Sequence, residues 1–408
     1  MKISSIKLNK NLIVFDDINS EDQIGVYDTF SHSHCLMHKA IYSYLLDKDD
    51  LSNIADDLSD EQISILYSHN VLIDDDYYLS KEFEHPFKER VNWIKKAYIH
   101  PTMNCNLACE YCYICIDAPS EFPTLSADKW MHVIEKLHAE GLESINITGG
   151  EPLLYPDILK IIKFAKSLGI RVALLTNGTL LDKYDGLFDL IDHAIVSLDG
   201  LTNSMRVGIE KHPVFENIMS IAKNYPDKIS VRSVVVKGFE EEVQSLEGIL
   251  KTNEIRHLKS ICLPSRREDE KLIPDYDKYD LLQRNFASPN RCGAGDTIVA
   301  VNSVGEMFPC QLMMKPELKM ADMLSDSWKE DYLNSTINDD LESFSTHSHP
   351  KCQSCFARWR CNGGCRAAAY SFYGKLDSPL EFLCDFHRKS TELAMREYFE
   401  KEAQENNE

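Results

Sequence analysis

The sequence lacks three features, and each absence excludes a class of protein. No run of about 18 apolar residues is present that could span a membrane. The first residues, MKISSIKLNKNLIVF, contain neither the sustained apolar segment nor the small-residue cleavage site of a secretory signal. Positive charge is scarce, with 44 Lys and Arg against 65 Asp and Glu and a net charge of −21. Because phosphate contacts need clustered cations, this charge balance argues against nucleic-acid binding. Because neither a membrane span nor a secretory signal is found in the sequence, we expect a cytoplasmic protein.

The length and the cysteine content of the chain indicate a multidomain protein with metal sites. With 408 residues, of which 43% are hydrophobic, the chain can bury a substantial core and is long enough for two or three domains. It contains 13 cysteines. A cytoplasmic protein keeps its thiols reduced, so these cysteines are more plausibly metal ligands than disulfide partners.

Three cysteines, Cys105, Cys109 and Cys112, follow a short apolar strand in the stretch from His100 to Ala118. Their C-x3-C-x2-C spacing leaves a metal site one ligand short. Three thiolates on one loop can hold three irons of a four-iron cluster and leave the fourth iron open. Cys115 could instead supply a fourth thiolate and close a zinc or cluster site, and these residues alone leave both interpretations open.

Strands and helices alternate from Ala97 onward. The strands are predicted at 97–102, 144–148, 171–176, 193–197, 229–236 and 258–263. The helices are predicted at 127–140, 156–168, 180–190, 213–224 and 240–252. Six strands joined by helical crossovers predict an α/β fold with a parallel sheet, a partial (β/α)6 barrel that carries its functional groups at the carboxyl ends of the strands.

Four polar turns follow the first four predicted strands. Glycines after a strand are usually only a tight turn, but four such turns on one rim indicate a binding pocket. The turns are the cysteine loop, Gly149-Gly150-Glu151-Pro152, Thr176-Asn177-Gly178 and Ser197-Leu198-Asp199-Gly200.

A second group of cysteines lies in the last third of the chain, after a polar and charged segment, 264–291, that is predicted to be a linker with a short helix. Taken alone, the part from Cys352 to Cys365 could be a zinc ribbon. The whole group contains seven cysteines, however, and a single zinc site uses four ligands. The seven cysteines are Cys292, Cys310, Cys352, Cys355, Cys361, Cys365 and Cys384.

Residues 1–90 are predicted to form a separate winged-helix-like domain. The pattern predicts strands at 3–8 and 11–15, helices at 35–46, from Leu51 and at 59–69, and a two-stranded wing over 70–79. Residues 1–84 carry 17 Asp and Glu against 6 Lys, a net charge of −11, so a DNA duplex would be repelled. The layout resembles the domain with which enzymes that modify ribosomally made peptides bind a leader peptide as an added edge strand. A purely structural appendage is the alternative.

The cysteine loop and the Gly-Gly-Glu-Pro turn together resemble the radical S-adenosylmethionine (SAM) superfamily over residues 97–263. The resemblance implies that Cys105, Cys109 and Cys112 hold a [4Fe-4S] cluster whose open iron binds SAM, which reduction cleaves to a 5′-deoxyadenosyl radical. For Asn177, Ser197 and Arg206 the alternative is a loop-capping hydrogen bond or a solvated charge. The implied SAM contacts are Tyr111, Gly149, Gly150, Glu151, Pro152, Asn177, Ser197 and Arg206.

The carboxyl-terminal cysteines, in residues 292–408, are similar to the SPASM extension of radical SAM enzymes, which carries two auxiliary [4Fe-4S] clusters. The chain would then hold three clusters. Cluster I would lack a fourth thiolate, so an open iron is expected there. Cys262 is the only upstream candidate for that ligand, its alternative being a buried strand cysteine, while Cys35 is predicted to be a core residue of an apolar helix. The implied ligands are Cys292, Cys310 and Cys365 for cluster I, and Cys352, Cys355, Cys361 and Cys384 for cluster II.

The resemblance implies a peptide maturase that takes a hydrogen atom from a side chain of a ribosomally made precursor peptide and closes an intramolecular cross-link. A cyclophane-type C–C or C–O link is favoured over a thioether, and a low-potential electron donor of the flavodoxin or ferredoxin type is implied. One rival is a sulfatase-maturating enzyme, in which an acidic base follows the G-x4-C cysteine; here that residue is Gln311, a poor proton acceptor. The other rival, a cluster-bearing winged-helix regulator, would need a basic recognition helix that the sequence lacks.

Overall fold

The computed structural model describes residues 6–74, 77, 94–114, 122–202, 205–263, 267–277 and 292–405. The strands are β1 (Lys7–Leu8), β2 (Leu12–Phe15), β3 (Gln23–Asp28), β4 (His34–His38), β5 (Leu72–Ile73), β6 (Lys96–Thr102), β7 (Ala108–Cys109), β8 (Ser144–Gly149), β9 (Arg171–Thr176), β10 (His193–Ser197), β11 (Arg206–Val207), β12 (Ile229–Val235), β13 (Arg256–Ile261), β14 (Ile298–Val301), β15 (Glu306–Phe308) and β16 (Ala321–Asp322). The α-helices are α1 (Lys39–Leu46), α2 (Asp60–Ser68), α3 (Ala127–Ala139), α4 (Ile158–Ser167), α5 (Leu187–Leu190), α6 (Val214–Asn224), α7 (Glu240–Thr252), α8 (Trp328–Leu333), α9 (Thr336–Ser343), α10 (Arg358–Cys361), α11 (Arg366–Tyr373) and α12 (Cys384–Glu405).

A nine-stranded sheet organises the molecule, in the order β13-β12-β10-β9-β8-β6-β14-β15-β16. The six strands predicted from the sequence are β6, β8, β9, β10, β12 and β13, and all of them pair in parallel. β14 continues the sheet in parallel beside β6, whereas β15 and β16 run antiparallel, so the sheet is mixed. The sheet therefore extends past the six predicted strands into the segment predicted as the SPASM region.

The helices between the parallel strands cover one face of this sheet. In α3, Trp130, Val133, Ile134 and Leu137 are all buried, at the i, i+3, i+4 and i+7 spacing of an amphipathic helix. The Ser126 hydroxyl caps this helix by accepting from the Lys129 backbone N–H. The helix predicted at 180–190 is different: only a 3-10 turn and the short α5 form there, because Gly186 adopts the left-handed conformation at φ 74° and interrupts the segment.

The amino-terminal unit contains a three-stranded antiparallel sheet, β2-β3-β4, and a small β1-β5 pair. The predicted helix at 35–46 is wrong in its first part, since His34–His38 is strand β4, and α1 begins only at Lys39. Pairing with β3, a strand that the sequence analysis missed, stabilises the extended form. Cys35 thus lies on a strand, half-buried against the core of this unit. The second strand of the predicted wing lies outside the described residues.

One face of the β2-β3-β4 sheet packs against α12, far along the chain. Gly25 contacts the Phe399 ring so closely that an added Cβ would lie 2.3 Å from it. The Trp359 indole N–H donates to the Thr29 carbonyl oxygen at 3.2 Å. Arg358 donates to the Phe30 carbonyl oxygen at 2.9 Å. The amino-terminal unit is therefore docked on the cysteine-rich carboxyl-terminal region.

The remaining described segments complete the architecture. Of the predicted linker, residues 267–277 are described and contain a 3-10 helix, Arg267–Leu272, while 278–291 lie outside the described residues. The predicted terminal helix after Cys384 is present as α12. Among the helices described, none combines the length and the apolar character needed to cross a lipid bilayer.

Candidate active site

The cysteine loop lies on the rim of the sheet, where β6 ends. The short strand β7, which contains Cys109, pairs with β11, so the loop is anchored to the segment that follows β10. Cys105 is half-buried, and its sulfur accepts from the Leu107 backbone N–H at 3.5 Å and from the Asn177 amide at 3.8 Å. Burial raises the pKa of the Cys109 thiol to about 11, and the nearby charges of Cys112 and Cys105 act in the same direction. The three thiols therefore lie close enough together to interact electrostatically.

The Gly149-Gly150 turn packs directly on the start of this loop. A Cβ atom on Gly149 would lie 2.1 Å from the Thr102 carbonyl oxygen, and one on Gly150 would lie 2.1 Å from the Asn104 carbonyl oxygen. The Gly150 backbone N–H donates to the same Thr102 oxygen at 3.0 Å. Only glycine permits this approach of two backbones, and it brings the second polar turn next to Cys105.

Glu151 connects the second and third polar turns. It is fully buried, and its carboxylate accepts from the Thr176 hydroxyl at 2.8 Å, the Asn177 backbone N–H at 2.8 Å and the Leu153 backbone N–H at 3.1 Å. Burial raises the pKa of Glu151 to about 7, although these hydrogen bonds lower it. The carboxylate thus holds Asn177 beside the cysteine loop, and its predicted contact with the amino group of SAM stays a prediction.

Arg206 forms a buried ion pair with Asp199, a residue to which the sequence analysis gave no role. The Arg206 Nε and Nη2 atoms lie 2.8 and 3.1 Å from the two Asp199 oxygens, and the two side chains are 7% and 8% exposed. The Tyr111 hydroxyl donates to the same carboxylate, and Arg206 Nη1 lies 3.9 Å from the Cys109 sulfur. Arg206 and Tyr111 therefore brace the cysteine loop. The predicted contact of Arg206 with the SAM carboxylate stays a prediction, and the guanidinium already has an anionic partner.

Arg232 is a candidate binding residue that the sequence analysis missed. It lies on β12 in register with Ser197 at the end of β10, on the sheet face opposite to Val231, which packs under the helices. Its Nε atom is buried without a hydrogen-bond partner, and no ion pair of its side chain is found in the described part of the chain. A charged residue in the run VRSVVV was the available signal, since strand alternation places it on the inner face.

The cysteines predicted for cluster II line one cavity. Its empty volume is about 380 Å³, including its open mouth, and Cys352, Cys355, Cys361 and Cys384 all contribute to its wall. Burial raises the pKa of the Cys361 thiol to about 12, and the charges of the other three thiols raise it further. Lys351, Arg358 and Arg388 line the same cavity and suit an anionic group. These four residues of the chain thus fit a four-thiolate cluster.

The cysteines predicted for cluster I also lie near one another. Burial raises the pKa of the Cys310 thiol, and the charges of Cys365 and Cys292 raise it further. Between the two sets, Asn362, Gly363 and Gly364 all adopt left-handed φ angles of 45°, 75° and 83°, which reverse the chain from Cys361 to Cys365. This turn separates Cys361, predicted for cluster II, from Cys365, the last predicted ligand of cluster I.

Three cysteines remain outside these sets: Cys35, which lies on β4, and Cys262 and Cys115. Cys262 is buried with Met205 and Val236, and Tyr111 packs against the same cluster of side chains. Burial raises its pKa to about 12, with further contributions from Asp269 and Asp199. Its described surroundings are therefore those of a strand cysteine near the rim. Cys115, the alternative fourth ligand of the cysteine loop, lies outside the described residues.

No three His, Cys, Asp or Glu side chains in the described ranges converge as tightly as the ligands of a single metal ion do. A [4Fe-4S] cluster does not require that geometry, because each thiolate binds a different iron. The cysteines of the loop and of the cavity wall, half-buried except for the buried Cys352, therefore fit such clusters.

The comparisons with known proteins agree with this geometry. Residues 99–252 match the Radical SAM superfamily, and this part of the chain is a radical SAM domain. Members of this family use SAM with a [4Fe-4S] cluster.

The relatives that match more of the chain include peptide-modifying proteins. The chain is 25% identical over 334 residues to the PqqA peptide cyclase of Methylorubrum extorquens strain PA1, an alignment that covers 72% of this chain and 87% of that protein. It is 37% identical over 87 residues to an S-adenosylmethionine-dependent nucleotide dehydratase of Selenomonas ruminantium, but this covers 21% of the chain and less than a third, 31%, of that relative.

A solved structure is similar over nearly the whole fold. Streptococcus suis SuiB bound to precursor peptide SuiA superposes with a TM-score of 0.54 at 16% identity, over 91% of this chain and 98% of that one. The resemblance to radical SAM enzymes that modify peptides, inferred from the cysteine loop and the Gly149–Pro152 turn, is thereby confirmed.

Proposed function

We propose that this protein is a radical SAM peptide maturase with two auxiliary clusters, which forms an intramolecular cross-link in a ribosomally made precursor peptide. The observation that carries the proposal is the pairing of two features: a three-cysteine loop packed against the Gly149-Gly150 turn on the rim of the parallel sheet, and a separate cavity lined by four further cysteines. A zinc ribbon would not account for the rim set or for the polar turns beside it. When bound, the rim cluster and SAM supply the radical that removes a hydrogen atom from the peptide.

Different residues of the rim would bind the cluster and the SAM molecule. Cys105, Cys109 and Cys112 would hold the cluster, and the Gly149 and Gly150 carbonyls would accept from the SAM amino group. Ser197 and Arg232, in register on neighbouring strands, would bind the SAM carboxylate, because Arg232 has no other anion in the described residues whereas Arg206 has Asp199.

The auxiliary clusters would accept the electron that closing the cross-link releases. Loss of one hydrogen atom to the SAM-derived radical, followed by loss of a proton and an electron, removes two hydrogens from the peptide overall. Cys292, Cys310 and Cys365 would hold cluster I with an open iron, since Cys262 lies with Met205 instead. A flavodoxin- or ferredoxin-type donor would reduce the rim cluster.

The amino-terminal unit would bind the leader of the precursor as an added edge strand. Its three-stranded sheet supports this role, as does the similarity to SuiB, whose structure contains a precursor peptide. A cyclophane-type C–C or C–O link remains our first choice over a thioether. The sulfatase-maturating alternative is disfavoured because Gln311 follows Cys310 where that reaction needs an acidic base.

Mass spectrometry of a coexpressed peptide tests this function. The peptide would be encoded by a short open reading frame beside the gene and coexpressed with the protein under anaerobic conditions. A loss of two hydrogens without a new aldehyde is expected. An unchanged mass with deuterium incorporated from solvent would show epimerisation instead, and an aldehyde would show the sulfatase-type reaction. The variant with Cys105, Cys109 and Cys112 changed to alanine is the inactive control and should form no 5′-deoxyadenosine.

Metal analysis and truncation test the remaining parts. The reconstituted protein should contain about 12 irons per chain, and bound zinc with about four irons would contradict the auxiliary clusters. Removal of residues 1–90 should slow processing of the full-length precursor. A truncated enzyme that processes this precursor at the normal rate would show that the unit is a structural appendage.

A further inference from the structure

Arg366 is a buried cation that has no carboxylate partner among the described residues. It follows Cys365 directly at the start of α11 and is 3% exposed. Its guanidinium stacks on the Phe344 ring, with the central carbon 4.0 Å from the ring centroid. No ion pair joins Arg366 to any carboxylate in the described ranges. Its hydrogen bonds go to backbone carbonyl oxygens: Leu376 at 2.9 Å, Ser378 at 3.0 Å, Gly364 at 3.3 Å and Gly363.

A buried guanidinium surrounded only by neutral groups is unfavourable. Removing a charge from water carries a penalty of several kcal/mol, and carbonyl oxygens compensate only part of it. A nearby anion would therefore stabilise this arrangement.

Arg366 lies next to parts of the chain that belong to each auxiliary set. On one side, Cys365 is its neighbour in the chain. On the other side, Arg366 donates to the carbonyl oxygen of Gly363, and Gly363 lines the cavity formed by the four cysteines predicted for cluster II. A single cation thus adjoins both sets, through Cys365 in the chain and through Gly363 at the cavity wall.

We propose that Arg366 is a fixed positive charge shared by the two auxiliary clusters, which raises the reduction potential of both. The proposal rests on the function proposed above. Adding an electron to a thiolate-bound cluster adds negative charge, and a buried cation close to it stabilises the reduced form. Arg366 is a positioning residue in this scheme, since it acts through the charge of the clusters.

The chain offers a matched control. Arg388 is hydrogen-bonded to Cys355 and lines the cavity of the cysteines predicted for cluster II. Unlike Arg366, it is not next to Cys365 in the chain. Arg388→Gln should therefore change one auxiliary cluster, whereas Arg366→Gln should change both. Arg366→Lys keeps the charge and loses the planar fork.

The experiment is a redox titration of the full chain, reconstituted anaerobically, followed by electron paramagnetic resonance. Cys105, Cys109 and Cys112 are replaced by alanine so that only auxiliary signals remain. At a fixed ambient potential, Arg366→Gln should lower the ratio of reduced to oxidised protein at least tenfold for both clusters, a shift of 59 mV for a one-electron couple. Arg366→Lys should restore most of the ratio, and Arg388→Gln should shift cluster II only.

Each other result decides against a specific claim. If Arg366→Gln binds its iron but its ratio of reduced to oxidised protein stays within twofold of the parent, the shared-cation proposal is overturned. A change in the ratio for one cluster only also overturns it. If Arg366→Gln does not load iron, recovery of iron in Arg366→Lys supports the charge requirement, and failure of both variants shows a purely structural role. If the parent shows no two auxiliary signals, the cluster assignment itself fails along with this proposal.

Discussion

The buried ion pair between Asp199 and Arg206 gives the sharpest test of the site's construction. Asp199→Asn removes the charge but keeps the shape, and it leaves the guanidinium uncompensated beside Cys109. Because the two side chains are 8% and 7% exposed, solvent does not screen the pair. Breaking such a pair from one side costs about 3–5 kcal/mol. For a cooperative unit of barrel size this corresponds to a melting temperature lower by roughly 6–20 °C.

The measurement is thermal unfolding of the cluster-free protein, with the same scan rate for all variants. Cluster-free protein is used because no iron-bound thiolate then compensates the Arg206 charge. Asp128→Asn is the matched control, because the Lys160–Asp128 pair lies on the same barrel with side chains 52% and 79% exposed. That exposed pair should contribute only about 0–1 kcal/mol.

A double variant, Asp199→Leu with Arg206→Met, removes both charges. It should recover part of the loss, since apolar residues often replace a buried pair without cost. If Asp199→Asn melts within the range of the Asp128→Asn control, or if the double variant is as unstable as the two single changes added together, the reasoning is refuted.

Three further results are expected. Glu151 has a pKa of about 7, above its ordinary value, so its stabilising contribution is full below pH 4.5 and is lost as the pH rises through 7. Between pH 5 and 8 the protein should therefore lose about 2.5 kcal/mol more stability than Glu151→Gln in urea titrations. An equal pH dependence of stability in the two proteins would exclude this. Gly25→Ala should undock the amino-terminal unit through its clash with Phe399 and expose that unit to hydrogen exchange. The control Gly248→Ala, which has open space around it, should be neutral or stabilising. Equal hydrogen exchange in both variants would show that the contact is unimportant. Cys384→Ala should bind about four irons fewer, and a loss of about eight would mean that the two auxiliary sets depend on each other.

The parallel strands were predictable because their signal is local. Each run of apolar, β-branched residues between a helix and a polar turn indicates a buried strand, and each of the six predicted parallel strands begins and ends within two residues of the observed one. The polar turns of the rim follow from the same pattern, since the carboxyl ends of parallel strands meet at one edge. The cysteine spacings likewise needed no tertiary information.

The missed features depend on contacts between distant parts of the chain. The segment HCLMH precedes a helix-like run and was assigned to it, but its pairing with β3 makes it a strand. Strand β3 itself, QIGVYD, has too short a pattern to stand out. Spacing also cannot show that Arg206 is neutralised by Asp199, or that Arg232 has no ion pair among the described residues. The geometry is therefore the reason for proposing Arg232, rather than Arg206, as the partner of the SAM carboxylate.

The covering of the amino-terminal sheet restricts how it can bind a peptide. Ile24 and Val26 of β3 face the unit's own helices, whereas Gly25 and Tyr27 face α12 and Trp359. With both faces occupied, a further segment can add to β2-β3-β4 only at an edge, which is the mode that an extended leader would use. Two of the docking contacts, those of Arg358 and Trp359, come from the segment between Cys355 and Cys361, so a cluster that orders this segment would also help to hold the sheet in place. A leader bound at the edge would then lie at a fixed distance from the barrel, and that distance would select which residue of the peptide reaches the rim.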